Sequence, residues 1–103
     1  MKTYKLNLYG ETFNLLATVE RYANNDSLAI CLETDEGEPF DTITVNLQES
    51  AFIGENQAFV DTNNCSWAEN FIKKYKLGKP VGIMGYSGFC SYPLYEFDLE
   101  AFK

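Results

Sequence analysis

The best candidate for a chemical site in this sequence is the polar segment 61–65, which reads Asp-Thr-Asn-Asn-Cys. A carboxylate, two amides and a thiol stand together there, just before a segment with helical periodicity. A cysteine at a helix N-terminus can have a lowered pKa and react as a thiolate. No general base or second cysteine adjoins it in sequence, so structural capping is the stronger interpretation. The predicted capping residues are Asp61, Asn63, Asn64 and Ser66.

The absence of histidine from the whole chain excludes several classes of active site. Histidine is the commonest general base and metal ligand, so its absence removes classical triads, Cys-His proteases and most catalytic zinc sites. The glycine-containing segment 82–88 fits neither phosphate-binding glycine pattern. The acidic segment 33–38 lacks the residue order of a calcium loop. We therefore predict a protein without catalytic residues, metal site or cofactor.

The charge balance favours a protein partner over a nucleic acid. The 103 residues include 15 acidic and 8 basic side chains, with a formal net charge of -7. Such a charge disfavours direct contact with a phosphate backbone and favours docking on a basic protein surface. Tyrosines near the C-terminal end add side chains that often anchor interfaces. The predicted contact residues are Asp35, Glu36, Glu38, Tyr86, Phe89, Tyr92, Tyr95, Glu96 and Asp98.

The cysteines and the N-terminal residues bear on the expected location. Cys31, Cys65 and Cys90 are an odd number at wide spacings, without a C-x-x-C pair. This usage is typical of reduced thiols in a cytosol. Residues 1–8 lack the apolar core of a secretory signal, and no stretch has the length of a membrane span. We expect a cytoplasmic protein without membrane contact, either a monomer or a homodimer.

One amphipathic helix is predicted over about residues 65–77. Trp67, Phe71 and Tyr75 recur at four-residue spacing and form its apolar side. Ser66 is followed three residues later by a glutamate, which is the spacing of a capping box. Lysines crowd the last turn, where they complement the helix dipole, and a glycine and a proline follow. The spacing therefore predicts a helix that packs its aromatic side on a sheet.

The other segments have the alternating or apolar patterns of β-strands. Strands are predicted over residues 2–9, 13–22, 27–34, 40–47, 58–61 and about 94–99. A helix is the alternative for residues 13–22. The acidic turn 35–38 predicts a hairpin, residues 50–56 a loop, and residues 82–88 a turn or bulged segment. The expected fold is one α+β domain over residues 1–103, with the helix packed on a mostly antiparallel sheet of about five to six strands.

Two segments carry a family resemblance, residues 58–65 (AFVDTNNC) and residues 85–95 (GYSGFCSYPLY). Further likeness lies at residues 22–25 with 27–30, and at 37–40 with 44–47. Together they resemble an uncharacterised bacterial family of small proteins with a domain of unknown function. Such proteins occur among the accessory genes of conjugative plasmids, transposons and phages. The resemblance carries no catalytic residues that could be transferred to this chain.

What the resemblance implies is a role beside a mobile element. We expect a non-enzymatic accessory protein that binds a basic protein surface, such as an anti-CRISPR or anti-restriction inhibitor of a host defence nuclease. One alternative is a small ligand-binding or enzymatic domain that uses Asp61, Asn63 and Tyr86. The other alternative is a structural accessory protein of conjugation.

Overall fold

The computed structural model describes residues 2–103, so Met1 of the expected 1–103 domain lies outside the described residues. The strands are β1 (Tyr4–Leu8), β2 (Glu11–Arg21), β3 (Leu28–Thr34), β4 (Pro39–Thr42), β5 (Thr44–Val45), β6 (Gln57–Val60), β7 (Gly78–Ser87) and β8 (Cys90–Phe97). The α-helix α1 is Ala68–Lys74, and short 3-10 helices lie at Gln48–Phe52 and Leu99–Phe102. The first sheet has the order β1-β2-β3-β4 and the second β5-β6-β8-β7. All neighbouring strands pair antiparallel.

The α+β class and the mostly antiparallel pairing are confirmed, whereas the expected sheet of five to six strands is wrong. The strands divide into two sheets of four because the predicted strand 40–47 breaks at Ile43. The Ile43 N–H donates to the Ile30 carbonyl of β3 at 3.1 Å, and the Ile43 carbonyl accepts from the Asp61 N–H at 2.8 Å. Ile43 therefore carries the chain from one sheet to the other.

The glycine-containing segment 82–88 lies mostly inside β7. Pro80 pairs with Tyr95 and Met84 with Pro93, so residues 81–83 bulge out opposite a single residue of β8. A bulge needs an unusual backbone conformation, and Gly82 supplies it with a φ of 88°. The last long strand is correspondingly longer than predicted and begins at Cys90.

The main core lies between the first sheet, α1 and one face of the second sheet. Leu15 and Ile30 come from the first sheet, Phe71 and Ile72 from α1, and Val60 from β6, and all five are buried. On β6, side chains alternate between the two faces of the sheet. Phe59, which precedes Val60, therefore belongs to a different cluster.

The second cluster lies on the opposite face of the second sheet. It consists of Leu47, Phe59, Tyr92 and Leu94, with Val45, Ile53 and Cys90 at its margin. The segment around the 3-10 helix Gln48–Phe52 covers this face. The strands β6 and β8 are therefore buried on both faces, which decides which of their aromatic side chains a partner could reach.

The helix α1 lies across the inner face of the first sheet. At its start the Trp67 ring meets Phe40 of β4 at 6.1 Å between centroids, and at its end the Tyr75 ring meets Tyr4 of β1 at 4.9 Å. The helix is shorter than the predicted 65–77. It ends because Lys76 has a left-handed φ of 55°, a conformation that terminates helices.

Candidate protein-binding surfaces

The polar segment 61–65 forms a turn of its own instead of capping the helix directly. The Asn64 N–H donates to Asp61 Oδ1 at 3.2 Å, and Asn64 Nδ2 donates to Asp61 Oδ2 at 2.9 Å. The N-cap of α1 is Trp67, which makes no side-chain capping bond. The predicted capping of the helix by Asp61, Asn63, Asn64 and Ser66 is therefore corrected. The first three residues lie at least three positions before the N-cap, and Ser66 lies one position before it.

Burial governs the chemistry of Cys65. Its side chain is fully buried, and Sγ lies 3.9 Å from the Thr42 carbonyl oxygen. This burial, together with the nearby carboxylates of Asp41 and Asp61, raises the pKa of the Cys65 thiol to about 12. A thiol of that pKa stays protonated at neutral pH, the opposite of an activated nucleophile.

In the folded protein Cys65 should react with iodoacetamide at least about 100-fold more slowly than in urea, because both access and thiolate fraction are reduced. Timed labelling followed by peptide mass spectrometry measures the rate. The half-buried Cys90 is the internal control and should be labelled faster in the same folded sample. Equal rates for Cys65 and Cys90 would contradict this account and would revive thiol chemistry at the turn.

The nine predicted contact residues fall into an accessible group and a buried pair. Tyr92 and Tyr95 are only 8% and 5% exposed, so they are unavailable as anchors for a partner. Tyr92 belongs to the second cluster. Tyr95 lies in the main core and its hydroxyl donates to Glu69 Oε2. Their position on β8, which is covered on both faces, is the physical reason for this correction.

The accessible contact residues lie at three places. Asp35, Glu36 and Glu38 are exposed around the β3–β4 turn. Tyr86 and Phe89 are exposed at the β7–β8 turn. Glu96 and Asp98 are exposed near the end of β8, beside a groove of about 1290 Å³ between α1 and the β7–β8 hairpin. Lysines and carboxylates both line this groove, so it has no uniform charge.

The outward side of the first sheet carries a second groove, of about 710 Å³. Its charged lining residues are all acidic, namely Glu20, Glu33, Asp41 and Asp61. Together with Asp35, Glu36 and Glu38 of the adjoining turn, we call these residues the acidic face. The sequence analysis did not select Glu20, Glu33 or Asp41. Strand alternation was the available signal for Glu20 and Glu33, since it places them on the opposite face from the buried leucines and isoleucine of β2 and β3. Asp41 pairs with the buried Leu32, so alternation gave no signal for it.

The acidic groove affects the pKa of the Cys31 thiol. It lies half-buried on β3 among the residues that line the acidic groove. Burial raises the pKa of the Cys31 thiol, and the neighbouring carboxylate of Glu20 raises that pKa further. The acidic side chain of Glu20 therefore disfavours the thiolate form of Cys31.

The hairpin of β7 and β8, in contrast to the acidic face, is uncharged over most of its length. Residues 80–95 contain no Asp, Glu, Lys or Arg. The strand β7 is an edge strand, and Gly85 is its one buried residue. The large apolar side chains exposed on this hairpin are Val81, Ile83, Met84, Tyr86 and Phe89. We call residues 80–90 the uncharged edge, and exposed apolar surface of this kind commonly marks an interface.

The ligand-binding alternative requires Asp61, Asn63 and Tyr86 to converge. Tyr86 lies on β7, two strands away from β6 in the second sheet, which corresponds to about 10 Å between strand axes. Asp61 and Asn63 follow the end of β6. Neither of the two grooves described above is lined by all three residues. Among residues 2–103 no group of three or more His, Cys, Asp or Glu side chains is placed to hold a metal ion.

Comparison with known proteins places most of the chain in a family. Residues 16–103 match the model of a domain of unknown function, DUF4313. No curated protein and no solved structure matches the chain. Within residues 2–103, no helix has the length and apolar character needed to cross a bilayer. The matched range includes every segment that carried the resemblance described above, so the chain belongs to the DUF4313 family of domains of unknown function.

Proposed function

We propose that this protein is a non-enzymatic binding module that docks on a basic protein surface through its acidic face. The observation that carries the proposal is the grouping of carboxylates in and around the groove of the first sheet, where no lysine or arginine is among the lining residues. A concave surface of one sign attracts an oppositely charged partner and raises the rate of encounter.

The sign of the acidic face suggests the class of partner. Proteins that handle nucleic acids present basic channels to the phosphate backbone, and an acidic protein can occupy such a channel. An inhibitor of a host defence nuclease, of the anti-CRISPR or anti-restriction kind, would act in this way. The buried and protonated thiol of Cys65 gives no support to a thiol-based enzyme.

The test compares two triple variants with the same change in net charge. The first, Asp35→Lys/Glu36→Lys/Glu38→Lys, reverses the exposed turn of the acidic face. The second, Glu96→Lys/Asp98→Lys/Glu100→Lys, reverses acidic residues near the end of β8 and serves as the matched control. All six residues are exposed, but Glu96 accepts a hydrogen bond from Gln57 Nε2 and Asp98 accepts one from the Glu100 N–H. Circular dichroism with thermal melting therefore checks that both variants are folded.

Tagged wild-type protein should retain a basic protein from a host lysate at low salt and release it at high salt, because exposed charges are screened over about 10 Å at 0.1 M. The turn variant should lose the partner at low salt and the control variant should keep it. The retained protein is then assayed for nuclease activity during titration with wild-type protein. Loss in the control variant alone would move the docking surface to the end of β8. If no basic protein is retained at low salt, the proposed function is wrong.

A further inference from the structure

The edge of β7 that faces away from β8 has backbone groups in the geometry needed for pairing with another strand. Between Met84 and Ser87 the ladder with β8 is regular. The Tyr86 N–H points away from β8, because it donates to Glu49 Oε2 at 2.9 Å. In an antiparallel ladder, backbone groups alternate between the two sides of a strand. The backbone groups of Met84 therefore also point outward, which agrees with its pairing opposite Pro93, a residue without an N–H.

We propose that the uncharged edge pairs with the uncharged edge of a second copy of this chain. In this arrangement two β7 strands run antiparallel around a two-fold axis at Gly85. Met84 of each copy then lies opposite Tyr86 of the other, and both residues exchange N–H and carbonyl bonds. The two second sheets become one continuous sheet.

The charge distribution is the reason to assign a second copy. Symmetric pairing places identical surfaces against each other, which is costly for a chain of net charge -7 wherever acidic residues meet. The uncharged edge lies within the longest stretch without acidic residues, residues 70–95, so no like-charge pair arises between its own side chains. The carboxylate held against it is that of Glu49. A basic partner would instead seek the acidic face, which belongs to the other sheet. This inference therefore goes beyond the proposed function and does not depend on it.

Glu49 competes with this pairing. Its carboxylate occupies the Tyr86 N–H as a neighbouring strand would, and this bond lowers the pKa of the Glu49 carboxyl group. A second copy must displace the carboxylate before Tyr86 can pair. Glu49 thus protects the edge in the monomer, as charged side chains commonly do on edge strands.

Sedimentation equilibrium of the purified full chain tests the proposal. Wild-type protein should show reversible dimerisation at micromolar to millimolar concentration. Met84→Lys places a charge on the edge and should weaken the dimer at least about tenfold. Tyr9→Lys is the matched control, since it removes another exposed large side chain with the same charge change, and it should leave dimerisation unchanged.

Two further measurements locate the contact. Glu49→Ala should strengthen the dimer about fivefold or more because each copy loses a competing acceptor, whereas Glu55→Ala, with the same charge change, should have a smaller effect. Exchange of the Met84 amide with deuterium should slow as concentration rises.

A wild-type chain that stays monomeric over this range, or a dimer that Met84→Lys leaves intact, would overturn the proposal. So would a result in which Met84→Lys abolishes capture of a different protein without changing self-association. Persistence of the dimer in the triple variant of the acidic turn would show that self-association and basic-partner docking use separate surfaces.

Discussion

Replacing Phe71 with alanine should lower the free energy of unfolding by about 3–5 kcal/mol, the range found for large aromatic deletions in cores. Phe71 is 3% exposed and its ring packs edge-on against Tyr4, Trp67 and Tyr75, with centroids 5.2–5.8 Å apart. Alanine would leave a cavity between α1 and the first sheet. Urea denaturation followed by circular dichroism measures the change.

A loss of this size is a large part of the stability of a small domain, so a milder variant keeps the test informative. Phe71→Leu should fold and lose less. Asn70→Ala, at the exposed neighbouring position of α1, is the control and should change stability by less than about 0.5 kcal/mol. If Phe71→Ala and Asn70→Ala have the same unfolding midpoint, the packing of α1 described here is wrong.

The same helix shows what sequence periodicity could predict. The four-residue spacing identified the aromatic side correctly, because that spacing follows from the geometry of any α-helix. It did not separate Phe71, which is buried, from Trp67 and Tyr75, which are half-buried. How deeply each ring lies depends on the strand beneath it. Nor did the sequence show that Lys76 would adopt a left-handed conformation and end the helix before Gly78.

Sheet organisation was beyond the reach of local patterns. Residues 40–47 alternate as one strand would, and their apolar positions suggested one face. In the structure Ile43 belongs to the main core and Leu47 to the second cluster. Which sheet a strand joins is decided by partners distant in sequence, such as β3 for β4 and β6 for β5. Alternation alone holds no information about those partners.

The candidate surfaces were predictable only in part, because local sequence shows where turns lie but not which strand lies at a sheet edge. Acidic residues around the β3–β4 turn were expected to be accessible, since turns usually lie at the surface. Among the tyrosines, composition could not distinguish Tyr86 from Tyr92 and Tyr95. The distinction arises because β7 lies at the sheet edge while β8 lies inside it. The missing charges of residues 80–95 were a usable signal for the uncharged edge.

The acidic face and the uncharged edge can be used at the same time. Pairing through β7 would join two second sheets and leave each acidic face free. A dimer would then present two acidic faces, and a partner with two basic sites could bind both with higher avidity than one. The distance between the two acidic faces is well defined only when the first sheet is held in a fixed position against the second.

Replacing Thr44 with valine tests that connection and should lower the free energy of unfolding by about 1–3 kcal/mol. Thr44 of β5 is 3% exposed, and its Oγ1 accepts the Ile30 N–H of β3 at 3.1 Å, a buried bond between the two sheets. Valine has nearly the same shape but cannot accept a hydrogen bond, so the Ile30 N–H would be buried without a partner. Urea denaturation and amide hydrogen exchange at Ile30 measure the effect.

Two variants separate the lost bond from other consequences of the substitution. Thr44→Ser keeps the hydroxyl and should retain slow exchange at Ile30. Thr42→Val removes a half-exposed hydroxyl whose contact is a weak one to Cys31 Sγ at 3.7 Å, and it should cost less than Thr44→Val.

Asp61 follows β6 in the second sheet but lines the groove of the first, so the acidic face depends on the junction between the two sheets. Equal stability of Thr44→Val and Thr42→Val would mean that apolar packing alone fixes the sheets, and that the acidic face does not need the Thr44 hydrogen bond.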